Sequence, residues 1–211
     1  MKWIYFLISL TSLVLALGTA VWAFDSKSAK KAEEKSGFKL GERLPAAKAK
    51  PPASPTTTSY KEIKWEELVP KDWDPTKEFK DLNLANLSDS DPRAAKALEK
   101  LKEAWDNAPA NPVFNGQRVR IAGFLVPVER TRDVISEFLL VPYFGACIHT
   151  PPPPSNQVIH VFPAKMVKGM NSMDPVWVNG VLEVSRSGTA MGTASYRLNA
   201  DLVEAYKEPK R

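Results

Sequence analysis

The chain has 211 residues, is 44% hydrophobic and 25% charged, and carries a net charge of +5. These values exclude a collagen-like, wholly disordered or disulfide-framed protein and leave room for one globular domain with a tail. The basic excess is concentrated in the stretch KSAKKAEEKSGFKLGERLPAAKAK, which reads as a solvated linker and not as a nucleic-acid-binding surface.

Residues 1–23 read as a signal peptide or membrane anchor. Lys2 is the sole charge before Asp25, and an apolar run ends in Val21-Trp22-Ala23, a small-residue pattern that suits signal peptidase. Trp3 to Trp22 is also long enough to span a bilayer if it is retained. Both readings predict an exported protein of the periplasm or cell envelope, in contact with membrane only through this segment. Residues 24–59 lack apolar periodicity, and PAAKAKPPASPTTTS reads as a disordered, semi-extended tether.

Residues 60–211 read as a single β-rich domain. Trp65 and Trp73 are expected to pin the entering segment onto it. Residues 91–107 predict a helix, with Asp91 as N-cap, Pro92 in the first turn, and Ala94, Ala97, Leu98, Leu101 and Trp105 as its apolar stripe. Strands are predicted at 118–129, 137–144, 156–164, 175–185 and 194–203, each rich in Val, Ile, Leu and Phe and bounded by turn residues. Gly123 and Gly180, each inside a strand, are expected where a strand bends at a corner. The pattern predicts a mainly β fold: a small antiparallel barrel or sandwich, OB-like, with an N-terminal α-helix.

The chemistry-bearing stretch is FGACIHTPPPPSNQ, residues 144–157, which holds the one cysteine, Cys147, and one of the two histidines, His149. An odd thiol in an exported protein points to an intermolecular bond, a reactive thiol or a metal ligand. In an extended backbone Cys147 and His149 face the same side, and both are good zinc ligands. Glu129, Glu137 and His160 are the candidates for a third ligand. Gly145 lets the backbone approach closely, the prolines Pro151, Pro152 and Pro153 stiffen the loop, and Asn156 and Gln157 are placed to orient the ligands. The same stretch also fits a metal-free docking edge or a thiol-dependent enzyme.

The blocks GFLVPVE, EFLLVPYFGACIHTPPPPSNQ and VWVNGVLEV resemble an uncharacterised bacterial envelope family, domain-of-unknown-function family 3299, over roughly Trp65 to Tyr206. Cys147, His149, Pro151 to Pro153, Asn156, Gln157, Glu129 and Glu137 match its pattern, whereas His160 lies outside it. The resemblance implies an exported protein, soluble or membrane-tethered, in the company of zinc-responsive transport systems, and no established activity. Together these readings predict an envelope accessory protein that binds a transition metal, zinc favoured, and works with an inner-membrane partner such as a metal transporter. The alternative is a metal-free interaction module that docks a membrane partner through the proline-rich edge.

Overall fold

The computed structural model describes residues 30–45 apart from 32 and 35, and residues 59–74, 92–149 and 152–207. The signal segment, most of the tether, Asp91 and Pro151 lie outside the described residues. The chain divides into two units, Met1–Leu40 and Gly41–Arg211. In the first, a helical stretch within residues 30–36 ends at Gly37, which has φ +75°, and the Glu33 carboxylate accepts a hydrogen bond from the Leu40 N–H at 2.7 Å. Among the described residues no helix is long and apolar enough to cross a membrane.

The second unit is mainly β. Its strands are β1 (Lys61–Glu62), β2 (Gln117–Thr131), β3 (Val134–Val141), β4 (Ile159–Pro163), β5 (Val167–Lys168), β6 (Pro175–Thr189) and β7 (Gly192–Ala205), with one long helix, α1 (Pro92–Asp106). The sheet order is β1-β2-β6-β7-β4-β3-β5, and β2 also pairs with β3, so β2, β6, β7, β4 and β3 close into a ring. This is the mainly β, OB-like arrangement expected from the sequence, with one difference. The sequence predicts antiparallel strands, yet β1 pairs with β2, and β4 with β7, in parallel. A closed ring with an odd number of strands cannot alternate direction all the way round, so one neighbouring pair must run the same way.

The ring interior is filled by alternate residues of every strand. Val119, Ile121 and Leu125 of β2 meet Phe138 and Leu140 of β3, Ile159 and Val161 of β4, Val178 and Leu182 of β6, and Tyr196 and Leu198 of β7. This period-two burial is what the Val, Ile and Leu alternation encodes. Gly123 and Gly180 sit where neighbours press close. A Cβ on Gly123 would lie 2.8 Å from both Leu140 Cγ and the Val141 carbonyl oxygen, and one on Gly180 would lie 2.8 Å from Ala200 Cα. Gly180 also marks a register shift against β7.

The entering segment is pinned as expected at Trp65. Its indole N–H donates to the Ala122 carbonyl at 2.7 Å, and Leu68 in the same 3-10 turn is fully buried. Helix α1 lies at the surface: Ala97 is its one buried residue, and Leu98, placed on the predicted stripe, is 54% exposed. The predicted strand at 137–144 ends at Val141, before Pro142 turns the chain. The start of the one predicted at 156–164 is instead a 3-10 turn, Ser155–Gln157.

Candidate functional site

The loop joining β3 to β4 carries most of the predicted site. Its first arm is tied down by backbone. The Phe144 N–H donates to the Glu42 carbonyl and the Gly41 N–H donates to the Phe144 carbonyl, both at 2.8 Å, and Arg43 bridges Tyr143. Residues 41–45 thus lie on the domain, within the stretch read as tether. The Phe144 ring is fully buried, edge-on to Phe124 at 5.7 Å.

The chain then turns tightly. Gly145 has φ +86°, and its carbonyl accepts from the N–H of Ile148 at 3.3 Å and of His149 at 2.9 Å. Cys147 itself has φ +65°. The expected extended Cys147-Ile148-His149 is therefore corrected to a turn, and the rule that places residues i and i+2 on one side does not apply. Glycine suits position 145 because the left-handed conformation costs it nothing, whereas Cys147 adopts the same region at a cost.

Cys147 is half-buried, and burial pushes its thiol up to about 11. It packs toward the β6–β7 hairpin tip: a Cβ on Gly192 would fall 3.9 Å from Cys147 Sγ and 3.1 Å from Pro152 Cβ. His149 is half-buried, and its Nδ1 is enclosed with no partner among the described residues. Ile148 and Pro152 are exposed, whereas Pro153 is buried.

The second arm is held by side chains. Asn156 Nδ2 donates to the Pro109 carbonyl at 3.1 Å, and Gln157 Nε2 to the Trp65 carbonyl at 2.7 Å. Ser155 and Ser195 hydroxyls both donate to the Ala108 carbonyl, at 3.2 and 3.0 Å. Asn156 and Gln157 thus hold the loop to the segments around Trp65 and Pro109; neither orients Cys147 or His149.

The three proposed additional ligands are elsewhere. Glu129 accepts the Ser136 hydroxyl at 2.8 Å on the open surface. Glu137 places a carboxylate oxygen against His160 Nε2, and His160 Nδ1 lies 2.8 Å from Ser187 Oγ. Burial lowers the His160 pKa; the Glu137 charge opposes this and the Arg197 charge adds to it. Among the described residues no three His, Cys, Asp or Glu side chains come together to hold a metal ion. The five named donors divide between the exposed Glu129, the Glu137–His160 pair and the Cys147–His149 turn. Ser187 was missed by sequence reasoning because RSGTAMG carries no recognised motif.

A mainly β domain closed into a ring, with its β3–β4 loop locked at both ends, defines the class. The chain belongs to the family of proteins of unknown function DUF3299, which it matches over residues 65–205. A crystal structure of a DUF3299 family protein from Pseudomonas aeruginosa PAO1 is similar, with 31% identity and TM-score 0.56, over 72% of this chain and 100% of that one. A small single-stranded DNA-binding protein from Streptomyces coelicolor is a more distant likeness, with 16% identity and TM-score 0.29 over 44% of this chain and 95% of that one, too slight to carry an argument. No curated protein matches the sequence.

Proposed function

We propose that this protein is an exported envelope accessory domain that binds a partner protein through the loop 142–158. The observation that carries this reading is the loop's construction. Both arms are bonded to the domain, by Phe144 at one end and by Ser155, Asn156 and Gln157 at the other, while Ile148, 37% exposed, and Pro152 stand out between them. Arms already held to the domain lose little entropy on binding, and exposed aliphatic and proline side chains suit an apolar contact with a membrane-bound partner. The test is a photo-crosslinking amino acid at position 152 in cells, with the same probe at Leu98 on α1 as control. The reading expects one envelope protein captured from position 152 alone, and loss of that capture in the Ile148→Asp background. Equal capture from both positions, or capture indifferent to Ile148, defeats it.

A second reading keeps the loop as part of a metal centre. It rests on the enclosed Nδ1 of His149, which has no partner among the described residues and lies in the same turn as Cys147. Its donors would be Cys147 and His149, completed from the partner or by rearrangement of the loop. Zinc content of the purified protein beside the Cys147→Ser, His149→Ala double variant decides it: one zinc per chain, lost in the variant, supports it, and none in either protein removes it. A thiol enzyme is disfavoured by the protonated thiol, since the thiolate is the nucleophile.

A further inference from the structure

Glu137, His160 and Ser187 come from three different strands and meet in one line. His160 is 5% exposed, so its two ring nitrogens have little recourse to water. Nε2 faces the Glu137 carboxylate and Nδ1 faces the Ser187 hydroxyl at 2.8 Å. Nε2 and the Glu137 oxygen are in ion-pair contact and do not meet hydrogen-bond geometry, and a neighbouring carboxylate, which only accepts, favours the tautomer with the proton on Nε2. Nδ1 then presents its lone pair to Ser187, whose O–H donates to it. Nucleophile, base and orienting carboxylate thus stand in the order that activates a serine, with the ring nitrogens exchanged relative to the commonest arrangement.

The strand geometry supports a deliberate placement. Between the pairs Val184↔Tyr196 and Ser187↔Ala194, β6 advances three residues and β7 two, so β6 carries one extra residue immediately before Ser187. Bulges of this kind re-aim a side chain and recur beside active sites. Ser187 is half-buried, more accessible than the imidazole behind it. Burial chiefly disfavours a positive charge on His160, against the pull of Glu137, and Arg197, whose guanidinium lies over Phe162 at 4.0 Å, adds to it.

We propose that Ser187 is a base-activated nucleophile toward carboxylic esters, with His160 as its base and Glu137 as the positioning residue. In the step implied, the Ser187 Oγ–carbon bond forms and the ester carbon–alkoxide bond breaks. The serine proton passes to His160 Nδ1 and then to the departing alkoxide. Water, deprotonated by the same nitrogen, releases the acid and restores the serine.

The test uses the purified full chain and a fluorophosphonate ester, with peptide mass spectrometry of the labelled sites. General-base assistance contributes about 10²–10⁴-fold, so Ser187 is expected to label at least about a hundredfold faster than the exposed Ser172. His160→Gln should abolish that excess and Glu137→Gln should cut it about tenfold or more, with circular dichroism unchanged in both. Turnover of p-nitrophenyl acetate, lost in Ser187→Ala, provides a readout that a merely structural serine would not move. Labelling of Ser187 no faster than Ser172, or an excess that survives His160→Gln in a folded protein, overturns the proposal. Since His160→Gln replaces a buried side chain, Ser187→Cys supplies a second check: its alkylation rate should exceed that of Ser172→Cys at an exposed position, and an equal or slower rate counts against activation.

Discussion

Tyr196 of β7 donates its hydroxyl to the carbonyl of Leu68 at 2.6 Å, joining the centre of the ring to the 3-10 turn of the entering segment; both residues are fully buried. The same oxygen accepts the Asn111 N–H, so one phenol closes two strands of backbone over the core. Burial pushes this phenol up to about 12, which keeps it a neutral donor at every ordinary pH. Tyr196→Phe leaves the Leu68 carbonyl and the Asn111 N–H unpaired. The expected cost is about 1–3 kcal/mol, read as a lower urea midpoint with an unchanged slope.

Gly123 faces Val141 and Leu140 across the β2–β3 pair, with no room for a methyl group. The atom opposed at 2.8 Å includes a backbone oxygen, which cannot swing aside as a flexible side chain would. Gly123→Ala should therefore destabilise by about 1–3 kcal/mol. Gly188→Ala, where no atom lies within 4 Å, is the control and should leave the urea midpoint close to wild type.

Burial of His160 gives stability a pH dependence. Its pKa is lowered in the fold, chiefly by burial, from an ordinary 6.5. The unfolded chain then binds more protons than the folded one as pH falls from about 7.5 through 6.5, so His160 causes stability to decline on acidification over that range and below, until the folded state also binds the proton. Urea midpoints measured from pH 7.5 to pH 5 should fall in the wild type. His160→Gln should flatten this dependence; a slope equal to wild type would mean that other groups supply it.

Alkylation of Cys147 should be slow. Against an ordinary thiol at 9.0, a value of about 11 leaves about a hundredfold less thiolate at pH 8. Iodoacetamide should modify the urea-unfolded chain about a hundredfold faster than the folded protein at that pH. A fast reaction in the fold would restore the reading of Cys147 as a reactive thiol.

Much of the architecture was written in local pattern. Val119, Ile121 and Leu125 alternate into the ring, Trp65 anchors the entering segment, and the Pro92–Asp106 helix begins at its proline. Each follows from side-chain periodicity or from proline geometry, which act over a few residues and need no partner to be known. The prolines and glycines of FGACIHTPPPPSNQ likewise marked a constrained loop. What the loop's side chains face was not legible. Cys147 and His149 belong to a turn because Phe144 is bound by Glu42 and Gly41, about a hundred residues earlier. Asn156 and Gln157 read as helpers of a metal site but serve the carbonyls of Pro109 and Trp65. Glu137 and His160 were named separately as ligands, and only the β3–β4 pairing and the β6 bulge show that they share a site with Ser187. Periodicity selects which side chains turn inward; the closure of the ring, which depends on contacts far apart in sequence, selects which of the remaining polar groups meet.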